Sequence, residues 1–183
     1  MKVSSTKKNA VVSIKHFRMD FGKKTVVKDL SFDIYKGEVF GFLGSNGSGK
    51  TTTIRALLGL YQPTDGELLI NGEPFSVSSK IKLGYLPEER GLYKKESVID
   101  TMVYFGRLKG LSKVEAKQRS ENFLKQVGLT DKTNLRLDKL SGGEQQKIQL
   151  GITVINNPDI LILDEPTKGF DPVNRRLLMN IIE

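Results

Sequence analysis

The apolar run Val39-Phe40-Gly41-Phe42-Leu43 leads directly into Gly44-Ser45-Asn46-Gly47-Ser48-Gly49-Lys50-Thr51. A strand that empties into such a loop, followed by an amphipathic helix, is the arrangement of a phosphate-binding loop. The glycines allow a tight turn that aims successive N–H groups at an anion. Lys50 is placed to reach the terminal phosphates, and the Thr51 hydroxyl, with Thr52 beside it, to serve Mg²⁺ and the phosphate oxygens. The spacing of Ile54, Leu57 and Leu58 predicts a helix over 50–60 whose positive end faces the same charge.

The rest of the chain alternates between two periodicities. Val11–Ile14, Thr25–Val27 and Leu30–Ile34 alternate as short strands, and Val39–Leu43 is the strand expected before the loop. Glu67–Ile70 is a further strand closed by the Asn71-Gly72 turn, and Ile81–Leu86 another closed by Pro87. From about Ser97 the period becomes helical. Ser97 with Asp100, Ser112 with Glu115 and Ser141 with Glu144 have capping-box spacing, and Gly110 and Gly128 lie where helices should stop. Ile160–Leu163 is wholly apolar, as expected of a strand buried on both faces, and Asp171-Pro172 should open a last helix. These patterns divide the chain into a nucleotide-binding core with a β subdomain (1–88), a helical subdomain (89–150) and a return to the core (151–183).

Two further clusters carry chemistry. The apolar strand ends in Asp164-Glu165, at the strand end where open α/β sheets bind ligands. Asp164 is suited to hold Mg²⁺ and Glu165 to polarise an attacking water. Leu140-Ser141-Gly142-Gly143-Glu144 opens a helix with free N–H groups and a hydroxyl, a second anion site that the phosphate loop does not itself require.

Composition narrows the setting. The 183 residues suffice for one core with a subdomain, and the absence of cysteine excludes disulfides and thiolate metal sites. No run has the length of a transmembrane helix, and the polar, basic start lacks the apolar segment of a signal peptide. The net charge of +8 is spread along the chain, as on a solvated basic surface, so no nucleic-acid partner is expected.

Together these residues resemble the nucleotide-binding subunit of ABC transporters, over essentially all of 10–183. Gly44–Thr51 is similar to the Walker A loop, Ile160–Glu165 to Walker B, Leu140–Gln145 to the family signature and Gly169–Asp171 to the D-loop. Gly84–Glu88 resembles the Q-loop region, and Glu89-Arg90-Gly91-Leu92-Tyr93 resembles subunits serving ABC-2 type exporters. The resemblance implies an α/β fold, a P-loop NTPase core with an antiparallel β subdomain and a helical subdomain. It also implies ATP as substrate with Mg²⁺ as cofactor. Phe21 falls where the family stacks an aromatic on adenine, although a buried core phenylalanine fits the same residue type. Glu88 replaces the usual glutamine and could still reach Mg²⁺ or the water.

In the family two subunits pair head to tail. Ser141 and Gly143 would then contact the γ-phosphate held by Lys50 of a second ATP-binding subunit, in a homo- or heterodimer. The resemblance further implies a cytoplasmic subunit, peripheral on the inner face of the membrane through a transmembrane permease. The family's switch histidine lies on a strand beyond Walker B that this chain does not contain, so the chain is expected to be a C-terminally truncated subunit. His16, the only histidine, is expected to be structural or on the surface. The other readings are a soluble ABC-type ATPase acting on nucleic acid or the ribosome, and an inactive truncated product. The former class places long insertions between Walker A and the signature, or carries two such domains, and neither pattern is found here.

Overall fold

The computed structural model of the chain describes residues 10–76, 81–89, 91–92, 94–167, 175–176, 179 and 181. Its contacts separate two compact units, which divide after Lys80. The expected helix opening at Asp171-Pro172 and the D-loop positions 169–171 lie outside the described residues.

The first unit is built on an antiparallel sheet. Strand β1 (Ala10–Phe21) lies between β2 (Lys24–Tyr35) and β3 (Asp65–Ile70). The short segments read from the sequence are therefore parts of two 12-residue strands. An irregularity at His16 explains why the alternation looked interrupted. Val12 and Ile14 point into the core, the register shifts between Ile14 and Phe17, and Phe17 and Met19 then resume the buried face. The bulge adds one residue, so the buried positions switch from even to odd numbers, and His16 takes it up with φ 50°. Its exposed imidazole lies 3.3 Å from Asp29, so His16 is a surface residue. Gly66, with φ 83°, runs so close to the His16 carbonyl that a Cβ there would collide with it. The Asn71-Gly72 turn (φ 51° and 85°) closes β3 onto Glu73. Helix α1 (Lys50–Leu57) buries Thr53, Ala56 and Leu57, and ends sooner than its sequence period suggested.

The segment Val39–Leu43 departs from expectation. It forms no strand, and Val39 and Leu43 are each 91% exposed. An extended segment becomes a strand only when a neighbour accepts its backbone hydrogen bonds, and none among the described residues does so. Aromatic contacts hold it instead: Phe40 stacks on Phe32 of β2 at 4.7 Å between centroids, and Phe42 tilts against the same ring.

In the second unit β4 (Leu83–Leu86) pairs in parallel with β5 (Ile160–Leu163), Leu83 opposite Ile160 and Leu86 opposite Leu163. Strand β5 is half-buried rather than fully buried, because among the described residues it has a neighbour on one edge only. Helices α2 (Val98–Leu108), α3 (Lys113–Gln126) and α4 (Gly142–Val154) enclose a core that includes Val98, Met102, Leu124, Leu137 and Ile148. Each begins as its sequence predicts. The Ser97, Ser112 and Ser141 hydroxyls accept from the N–H of Asp100, Glu115 and Glu144. Gly110 and Gly128 follow the ends of α2 and α3 in left-handed conformation.

Helix α4 is the axis of this unit, with Ile148, Leu150 and Ile152 all buried. Cations from the other two helices satisfy its C-terminal carbonyls. Lys109 Nζ donates to the Thr153 carbonyl and Arg119 Nη1 to that of Ile155, both at 3.0 Å. Positive charge is favourable at that end of the helix dipole. The environment that provides the contact also lowers the Lys109 pKa by burial.

Hydrogen bonds from the Ser112 hydroxyl and backbone N–H hold Glu115 below the usual carboxylate range. A carboxylate with a depressed folded pKa stabilises the fold above its unfolded value, near 4.5, and loses that contribution as pH falls through the folded value. Glu115→Gln keeps the acceptor and removes the charge. Its deficit against the parent in denaturant unfolding should be full at neutral pH and vanish on acidification below that range.

Candidate functional site

The phosphate loop is built so that its donors point outward. Residues 44–48 are exposed, whereas Gly49 is buried against β2. Gly49 has φ 94°, and a Cβ there would meet Val27 Cγ2 at 2.8 Å and the Val26 carbonyl at 3.3 Å. No other residue type fits both the conformation and the space. The turn is closed by Ser48 N–H to the Ser45 carbonyl at 3.1 Å. Lys50 Nζ folds back over the loop, donating to the carbonyls of Gly44 at 2.7 Å and Ser45 at 3.2 Å. Thr51 and Thr52 form the first turn of α1. That helix has no side-chain cap and no acidic residue in its first turn, so no side chain competes with an anion for its N–H groups. A cavity of about 270 Å³ beside the loop is lined by Val26, Asp29, Leu43, Gly44 and Ser48, among others.

Phe21 closes β1 at the hairpin that carries Val26 and Val27 to the loop. It is 46% exposed and meets Tyr61 edge-to-face at 5.5 Å. That excludes the buried-core reading.

The carboxylates belong to the second unit. Because β4 and β5 are parallel and in register, Glu88 and the pair Asp164-Glu165 leave the same strand end. Asp164 is 3% exposed, its N–H donates to the Leu86 carbonyl at 2.9 Å, and its Oδ2 is buried with no partner among the described residues. Glu165 is exposed with φ 51°, a conformation that costs a non-glycine residue about 1–3 kcal/mol. No group of three or more His, Cys, Asp or Glu residues that could hold a metal occurs among the described residues. A cation here would depend on hydroxyl, carboxylate and phosphate oxygens, the ligand set of Mg²⁺.

The signature segment forms the start of α4. The Ser141 hydroxyl accepts from Glu144 N–H at 3.3 Å, and Ser141 N–H donates to Glu144 Oε2 at 2.7 Å. Hydrogen bonds from Ser141, the backbone one first, hold Glu144 below its ordinary range. Gln145 Nε2 braces the preceding turn through the Leu137 and Leu140 carbonyls at 3.1 and 3.0 Å. Ser141 and Gly143 thus sit at a rigid helix start in the same unit as Glu88, Asp164 and Glu165, whereas Phe21 and Gly44–Thr52 belong to the first unit.

Sequence reasoning missed Gln146, Gln149 and Thr153. All three are buried polar residues on α4, and their i, i+3, i+7 spacing in a helix of apolar neighbours was the available signal.

The family model described as ABC transporter matches residues 27–168. An uncharacterized ABC transporter ATP-binding protein of Methanocaldococcus jannaschii is 43% identical over 171 residues, covering 93% of this chain and 62% of the relative. The Nod factor export ATP-binding protein I of Cupriavidus pinatubonensis is 38% identical over 172 residues, covering 92% of this chain and 53% of the relative. A solved ATP-binding subunit of an ABC transporter superposes with a TM-score of 0.84 at 26% identity, covering 94% of this chain and 73% of that one. The chain therefore spans little more than half the length of these curated relatives. The family match runs from the hairpin beside the phosphate loop, through the serine-capped helix, to the carboxylates after β5, and the chain belongs to the ABC transporter ATP-binding family.

Proposed function

We propose that the chain binds and hydrolyses ATP as a head-to-tail dimer and powers transport through a separate transmembrane permease. The observation that carries this reading is the phosphate loop, with Lys50 bent over its mouth and the start of α1 open to an anion. Gly44, Ser45, Asn46, Gly47, Ser48 and Gly49 wrap the phosphates with backbone N–H groups. Lys50 balances the β- and γ-phosphate charge, and Phe21 stacks on the adenine. Thr51 and Asp164 would hold Mg²⁺, and Glu88 would be a third oxygen donor; the buried Asp164 Oδ2, without a partner among the described residues, suits that role. When bound, Mg²⁺ supplies charge neutralisation at the phosphates. Glu165 accepts a proton from the water that attacks the γ-phosphate. Ser141 and Gly143 of one subunit bind the γ-phosphate cradled by Lys50 of the other, which accounts for two anion-binding helix starts in one chain.

Export is the favoured direction, since a relative bears the name Nod factor export ATP-binding protein. Among the described residues no helix is long and apolar enough to cross a membrane. In this reading the permease partner holds the subunit at the inner membrane face.

Three substitutions test the reading. Lys50→Ala should weaken ATP binding by about tenfold or more, the worth of one charge-assisted contact. Calorimetric affinity close to that of the parent would sink the assignment. Glu165→Gln should bind ATP but hydrolyse it about 10²–10⁴-fold more slowly, and accumulate as an ATP-dependent dimer on size exclusion. Undiminished turnover would remove Glu165 from the chemistry. Ser141→Arg should leave ATP binding by the single subunit intact while blocking dimerisation and turnover. Loss of monomer binding would instead place the signature in cis.

A further inference from the structure

Helix α4 does more than present Ser141. Gln146 Nε2 donates to the carbonyl of Pro166 at 3.1 Å, and Gln149 Nε2 donates to the carbonyl of Glu89 at 3.0 Å. Each carbonyl belongs to the residue immediately after a carboxylate of the site, Glu165 in one case and Glu88 in the other. Thr153, one turn further on, bonds the Gln149 carbonyl at 2.8 Å and approaches that of Tyr85 at 3.4 Å. One face of the signature helix therefore grips the chain beyond both β4 and β5 through buried side-chain amides.

These amides are costly to keep. Gln146 is 8% exposed, and its Oε1 is buried with no partner among the described residues. A side chain selected only to fill space at this position would be apolar, since an unpaired buried acceptor destabilises the fold. What the amide gains is a fixed point one peptide beyond Glu165, the residue held at φ 51°. That carbonyl lies in the 166–167 peptide, so loss of the bond would free the backbone just after Glu165 and let the carboxylate change direction.

We infer that Gln146 is a positioning residue for the ATPase reaction, tying the signature helix to the backbone after Glu165 so that the carboxylate is aimed at the attacking water. The inference rests on the reading of Glu165 as the general base. Because Ser141 opens the same helix, an anion bound there and the general base then share one rigid support. Gln146 itself touches neither nucleotide nor water; it acts through Glu165.

The test is a double-mutant cycle on the protein under ATPase conditions. Gln146→Met keeps the volume and deletes the donor. Gln146→Glu keeps the shape and replaces the donor with an acceptor. In the parent background each should lower kcat by about 10²-fold, the effect of misplacing a reacting group by roughly an ångström. The KM for ATP should stay within about twofold. In a Glu165→Gln background neither should lower the residual rate further, because the group they position has lost its function. Gln149→Met, equally buried on the same helix, is the control and should lower the rate by the same factor in both backgrounds.

Equal losses from the Gln146 variants in both backgrounds, or a rise in KM with kcat unchanged, would overturn the inference. So would failure of both variants to unfold cooperatively, since Gln146 would then be a folding residue. If Glu165→Gln alone leaves turnover intact, the general-base reading fails first, and that result is visible before either Gln146 variant is measured.

Discussion

A helix start must give its first N–H groups to something, and this chain does so in two ways. In α2, α3 and α4 a serine hydroxyl accepts one of them, and an acidic residue stands in the first turn. In α1 the capping position is Gly49, with no side chain and no nearby acid. The N–H groups of α1 stay available to a polyanion, and the features around them follow from that requirement. Gly49 lets the loop lie against Val26 and Val27, Thr53 ties the first turn back to the Gly49 carbonyl at 2.9 Å, and Lys50 supplies positive charge over the loop.

Helix α4 combines the same elements differently. At its N-terminus Ser141 and Glu144 each accept the other's backbone N–H, its body is buried, and its C-terminal carbonyls take Lys109 and Arg119 from the neighbouring helices. Both ends are electrostatically matched, so the helix is held along its whole length. A helix fixed in this way suits a subunit whose signature contact is proposed to serve a second chain.

Local signals in the sequence were easy to read. The three serine caps, the glycine stops at Gly110 and Gly128, the phosphate loop and the acidic pair after β5 all depend on residues within a few positions of one another. Long-range partners were harder to anticipate. Val39–Leu43 has the composition of a strand, but no described neighbour supplies the ladder that a strand needs. Ile160–Leu163 is apolar enough for burial on both faces yet among the described residues is flanked on one edge only. The bulge at His16 hid the continuity of β1, because one extra residue inverts the phase of everything after it. Gln146 and Gln149 carry the residue type of a solvated helix face, and only the packing reveals them as interior.

The left-handed backbone at Glu165 has an evolutionary consequence. Glycine would relax that position and asparagine would tolerate it better, so selection for stability alone would move the site away from glutamate. A carboxylate needed for the proposed general-base role would move it back. Under the proposed role, position 165 is therefore a place where fold and chemistry favour different residues.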